Sequence, residues 1–348
     1  MKCLLFVSLL SPIIRLYPNS AVNLGGKSVW LSPVVALPVV LLIYAMTDRF
    51  LKRAQEHEGL GDMIIKAVGR IPGKTVLIIY VLWLLFYTGF VIKGGAERLL
   101  SSIYPNGQPA LFIVTLAAAG LWIAVGKIRS LGRLSEIFAA ILGLTLLIVT
   151  AAAVFDIEVK NILPVTVYDI DNIGIGAIPV ANVLGIGTNL AFLNGCAEKG
   201  KIKKTDAVVL LTLTIIAIIL ATIGTLGTEL IKSLQHSYFI MIRDIDLIGI
   251  VERIEAAVIV TWVVTDLIYV SVLLRICGEI MSVVFVKEKK KLYILISSVI
   301  SLVPSFLIIN NAFELHFISG IIVPLINILI VYIILPLLFV VGVIRQKI

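Results

Sequence analysis

From Ala207 to Leu226 the chain runs for 20 residues without a charged side chain, and similar stretches recur along all 348 residues. About 20 apolar residues at roughly 1.5 Å rise per residue cross the 30 Å hydrocarbon layer of a bilayer. A mean hydropathy of +1.11 with 14% charged residues leaves more apolar surface than a core of this size could hide. These features exclude a soluble globular domain and place the chain in a membrane.

Ten spans can be drawn: Cys3 to Tyr17, Val29 to Met46, Thr75 to Ile92, Pro109 to Val125, Ile137 to Phe155, Ile178 to Leu193, Ala207 to Leu226, Ala256 to Leu274, Leu292 to Ile309 and Phe317 to Val343. No period-two alternation is present, which argues against a β-barrel. Alternate loops differ in basic charge: 21 of the 29 Lys and Arg residues fall in the amino terminus, the carboxy terminus and the loops on their side. Cytoplasmic loops carry such an excess, so both termini are expected to be cytoplasmic. The formal net charge of +8 then reflects topology and contact with anionic lipid heads. No basic stretch is interleaved with aromatics, so no nucleic-acid partner is expected. The opening MKCLLFVSLLSPIIR also fits a signal peptide, although no A-x-A cleavage pattern follows; a late start assignment would equally account for a short first span.

The polar stretch from Asp156 to Ala177 divides the spans five and five, and each half begins with an interrupted apolar segment. The expected fold is an all-α integral membrane protein with ten transmembrane helices in a 5+5 inverted repeat, one transmembrane domain whose halves are 1–155 and 156–348. In such transporters the first helix of each repeat is discontinuous and carries the substrate site. The first span offers Ser11, Pro12 and Arg15 at its break; the sixth offers Asn182, Gly185, Gly187, Thr188 and Asn189. Glycine lowers the cost of unwinding, and unwound backbone in a membrane must line a protein cavity, where free N–H groups suit a carboxylate and free carbonyls a cation. The same small and polar residues also serve close helix packing, a reading that stays open.

Asp266, near the middle of the eighth span, costs roughly 2.5 to 3.5 kcal/mol if ionised there. A partner is required, with Arg15 or an incoming cation as the expectation and Thr265 as a neighbouring oxygen; a protonated, packed acid is the alternative. Lys93 and Glu97 read as a solvated i,i+4 pair at the outer end of the third span. The segment from Thr47 to Lys74 reads as one or two amphipathic helices on the membrane surface. Cys3, Cys196 and Cys277 lie near cytoplasmic ends, where thiols stay reduced. The scattered His57, His236 and His316 suggest no metal site, and no catalytic motif or cofactor site is apparent.

Several stretches together resemble a known family: GGKSVWLS (25–32), RIPGK (70–74), GRLSE (132–136), NILPV (161–165), and VERIEA (251–256) with Trp262. Their order and spacing are similar to those of the B subunit of endospore germinant receptors, the spore germination permeases, a branch of the amino acid–polyamine–organocation transporter superfamily. The resemblance implies a ten-helix fold in the spore inner membrane. It also implies an amino acid or other small nutrient as ligand, and an A subunit and a lipoprotein C subunit as partners. Ser11 and Pro12 stand where the family usually has Gly, and Tyr238 and Phe239 where a Tyr-Pro pair is commoner. An ordinary amino acid permease using the same cavity, and a scaffold that binds nothing, are the competing readings.

Overall fold

Hydrocarbon offers no water to satisfy backbone N–H and C=O groups, so an apolar segment that crosses it must bond within itself as a helix. The computed structural model is built accordingly, with no strand among its described residues. These are 2–55, 57–102, 104, 106–196, 204–234, 236–244, 251–309 and 312–347; the side chains of 15–17, 102, 204, 251–257, 308, 312, 313 and 316 also lie outside the description.

The helices are α1 (Lys2–Gly25), α2 (Ser32–Leu51), α3 (Leu60–Val68), α4 (Arg70–Ser102), α5 (Pro109–Val125), α6 (Ile128–Ala153), α7 (Val159–Ile162) and α8 (Ile170–Ile186). A 3₁₀ segment, Gly187–Cys196, extends α8. Then come α9 (Lys204–Ser233), α10 (Ser237–Asp244), α11 (Val251–Val284) and α12 (Lys290–Val303). The last helical path alternates α13 (Ala312–Phe317), α14 (Val323–Ile328) and α15 (Leu335–Ile344) with π-helical turns. Among the described residues, 8 helical stretches are long and apolar enough to cross a membrane, and two shorter apolar helices, Lys2–Ile14 and Pro109–Val125, cover the first and fourth expected spans. The most hydrophobic windows of Val258–Val284 and Val167–Cys196 are each 78% buried and that of Ile128–Asp156 is 22% buried, so α8 and α11 form the centre and α6 the rim.

Two expectations about breaks come out differently. α1 is helical from Lys2 to Gly25 straight across Pro12 and Pro18, so the first span is not interrupted at Ser11. Packing against α8, α9 and α11 supports it on several sides, and proline is tolerated in a membrane helix when neighbours hold it so. The sixth span does change character at Gly187 (φ −61°, ψ −18°), but by tightening into 3₁₀ helix rather than by opening a gap.

α9 holds a true kink at Gly227, whose φ of +70° favours glycine. The disturbed ladder is repaired by the central loop: the Glu158 N–H and Asn161 Nδ2 both donate to the Gly224 carbonyl, each at 3.0 Å. Asn161 opens the NILPV stretch, so that stretch has a structural task. Within Thr47 to Lys74 the one helix among the described residues that lies wholly inside the segment is α3. It buries Leu60, Met63, Ile64 and Ala67 and packs on α4 and α15 rather than lying free on the bilayer.

Lys52, Lys127, Arg275 and Lys290 gather around one cavity, which defines a basic end of the bundle; the Lys2–Asp206 pair joins the starts of α1 and α9. At the far end Asn19 Nδ2 bonds the Ile231 carbonyl at 3.1 Å near the finish of α9. With the native cysteines replaced by alanine, cysteines introduced at Asn106 and Ser233 should label from one side of sealed vesicles and one at Lys289 from the other. Labelling of all three from the same side would contradict this topology.

Candidate functional site

Three helices contribute to one buried polar group. Asp266 of α11 is 4% exposed, Arg98 of α4 is 5% exposed and Ser11 of α1 is 3% exposed. The Ser11 hydroxyl donates to Asp266 Oδ1, and Arg98 Nη2 forms an ion pair with Oδ2. The Trp262 ring, one turn before Asp266, lies 6.0 Å from the guanidinium carbon, and Phe239 of α10 packs on that ring at 5.3 Å. Gly95 leaves the space in which the carboxylate sits: a Cβ there would lie 3.3 Å from Asp266 Oδ2 and 3.0 Å from Leu116. Arg98 Nη1 is buried and has no hydrogen-bond partner among the described residues.

A second polar group surrounds the α8 to 3₁₀ junction. Tyr44 donates to the Leu184 carbonyl at 2.9 Å, Tyr332 to the Ala181 carbonyl at 2.7 Å and Tyr80 to Asn189 Oδ1 at 2.5 Å. Two of these hydroxyls add a side-chain donor to α8 carbonyls just before the junction, where the Leu184 carbonyl also accepts the Gly187 N–H. Gly187 allows the close approach, since a Cβ there would overlap the Tyr44 hydroxyl and Leu5. Asn182 is buried with Oδ1 unpartnered among the described residues. Thr188 spends its hydroxyl on its own helix, donating to the Gly185 carbonyl at 2.8 Å, and Thr265 does the same to the Trp262 carbonyl at 2.7 Å.

Below these groups a cavity of about 1510 Å³ opens at the basic end. Phe192, Asn194 and Cys196 bring the 3₁₀ segment into its wall, opposite Arg275 and Glu279 of α11. A clamp closes part of that wall. The Cys196 thiol donates to Glu279 Oε1 at 2.8 Å, and Lys290 Nζ lies 2.6 Å from Glu279 Oε2. Arg275 Nη1 donates to the carbonyls of Ala124 and Gly126, which are the orphan acceptors at the end of α5.

Of the expected site residues, the structure brings Ser11 and Asp266 together, with Thr265 adjacent in sequence but turned to its own backbone. Pro12 is buried beside Ser11. Asn182, Gly185, Gly187, Thr188 and Asn189 belong to the tyrosine-bound group. The partner of Asp266 is Arg98; the side chain of Arg15 lies outside the described residues. Arg98 was hidden because the apolar window ends at Ile92, whereas α4 continues to Ser102 and carries the charge into the bundle. For the same reason the Lys93–Glu97 pair, 3.2 Å apart, is no solvated pair: the Lys93 side chain is 7% exposed. Arg275 and Lys290 enter the sequence reading only through the count of basic loop residues, and Glu279 carries no local signal there.

Residues 2–314 match the model of a family described as "Spore germination protein". Among curated proteins the chain is similar to spore germination protein A2 of Bacillus subtilis (strain 168), 20% identical over 236 residues that make up 65% of this chain and 63% of the relative. The aligned part thus spans somewhat under two thirds of that relative's length. With a family match that extends over nearly all of a multi-pass helical membrane protein, the chain belongs to the spore germination protein family, the spore germination permeases.

Proposed function

We propose that this protein is the nutrient-sensing membrane subunit of a spore germinant receptor, binding an amino acid or similar small nutrient between α1, α4, α8 and α11 and triggering germination. The observation that carries this is the buried Ser11–Arg98–Asp266 group. Ionisable residues are kept inside a membrane bundle at a cost, and that cost is ordinarily met by function. Here they sit where three helices meet above a large cavity, so a ligand that alters the ion pair alters how those helices are held together.

The same reading places the protein in the spore inner membrane, with the basic end and both termini cytoplasmic, in a complex with an A subunit and a lipoprotein C subunit. The two halves, 1–155 and 156–348, act as the repeats of a transporter-like bundle. A second reading, an amino acid permease or exchanger, is favoured by the cavity itself, which is lined by residues of the basic end while the Ser11–Arg98–Asp266 group is buried farther along α11, an arrangement that suits alternating access. Sustained uptake into vesicles marks the permease; binding without uptake marks the sensor.

Germination measured against nutrient concentration tests the site. Asp266→Asn keeps the shape and loses the ion pair, and the half-maximal nutrient concentration should rise about tenfold or more, the worth of one buried charge-assisted bond. Asp266→Ala, which also strands Ser11, should be worse. An Asp266→Asn protein of normal membrane abundance and normal sensitivity would remove this group from the site.

A further inference from the structure

The Arg98 guanidinium has one face of its fork committed and the other open. Nη2 is paired with Asp266, while Nη1 is buried without a partner among the described residues. A buried charged donor left unmatched is costly, and guanidinium geometry is matched best by a second carboxylate. Arg98 also lines a small cavity, together with Gly95, Leu99, Leu116, Ile259, Trp262 and Asp266, with room of about 10 Å³, enough for a single water. We propose that Arg98 Nη1 anchors the carboxylate of the ligand in this subsite, closed in the structure and opened as Leu99 and Trp262 move aside.

Charge balance narrows the chemistry further. Arg98 and Asp266 are together neutral, and a second carboxylate on the same guanidinium would leave a net negative charge in the bundle interior. A ligand that carries its own cation beside its carboxylate avoids this, its ammonium bonding Asp266 and Ser11 as Arg98 turns toward the carboxylate. One buried ion pair becomes two, with no net charge added. The aliphatic lining by Leu99, Leu116 and Ile259 then receives the remainder of the ligand. This inference rests on the nutrient-binding reading and adds to it the residue that reads the carboxylate. α8 and its 3₁₀ extension are not required to do so.

The test is thermal unfolding of the purified full chain in detergent with the standard amino acids, glucose and inosine, and with the carboxamide of each amino acid that stabilises it. An amino acid should raise the midpoint and its carboxamide should not. In the Arg98→Gln/Asp266→Asn double variant, which keeps a neutral hydrogen-bonded pair, the affinity for that amino acid should fall by about tenfold or more. Arg98→Lys should fall between the two. Stabilisation by glucose or inosine in place of an amino acid, or by a carboxamide as well as by its parent acid, would overturn the carboxylate anchor and leave nutrient binding standing. Absence of any stabilisation would remove both. The comparison of acid with amide is made on the unaltered protein and holds even if the variants fail to fold.

Discussion

A carboxylate in the interior of a membrane bundle needs a partner, and the pairing of Asp266 with Arg98 organises much of what surrounds it. Removing one member of a buried ion pair costs about 3–5 kcal/mol because the other is left uncompensated, whereas replacing both with apolar groups is often neutral. The pair is therefore expensive to break and easy to do without, which makes its presence informative. It joins α4 to α11, and Ser11 adds α1 through the other carboxylate oxygen. Glycine at position 95 permits the approach, and Trp262 with Phe239 covers the group on the far side. Each of these residues fits its role only if the ion pair is where it is.

The bundle is asymmetric about that group. Arg275 and Glu279 line the wide cavity about 13 Å and more along α11 from Asp266, at roughly 1.5 Å per residue. Here the Cys196–Glu279–Lys290 clamp fastens the end of the 3₁₀ segment to α11 and the start of α12. The two polar groups thus tie the same central helix at two depths, one closing the far half and one edging the open half. The hydroxyls of Tyr44, Tyr80 and Tyr332 bond the Leu184 carbonyl, Asn189 Oδ1 and the Ala181 carbonyl at the helix junction.

Of the ten spans drawn from the sequence, eight correspond to helices long and apolar enough to cross a membrane, because apolar length is a direct physical requirement of the bilayer; the first and fourth are covered by shorter apolar helices. Asp266 and Ser11 were legible as unusual residues at membrane depth. Arg98 was not: hydropathy averages over a window, and a cation six residues past the apolar run reads as loop even when α4 carries it inward. The break in the first span was misread because Pro12 was judged by its local effect, while packing by three neighbouring helices holds α1 helical. At Gly187 the expectation was half right. The residue does mark a change in the helix, yet its small size serves the approach of Tyr44 and Leu5 as much as any loosening of backbone. Of the motif stretches, NILPV proved interpretable once Asn161 was seen bonding the kinked α9, a contact between residues 63 apart that no local pattern announces.

A double-mutant cycle on the stability of the full chain tests the central claim most directly. Arg98→Met and Asp266→Leu should each lower the thermal unfolding midpoint in detergent, each by the consequence of a stranded buried charge, about 3–5 kcal/mol. The double variant, with both charges gone and an apolar contact in their place, should recover most of that loss and exceed either single variant. Losses that simply add, leaving the double variant the least stable of the three, would mean that Arg98 and Asp266 do not hold one another and that the bundle is not organised around their pairing.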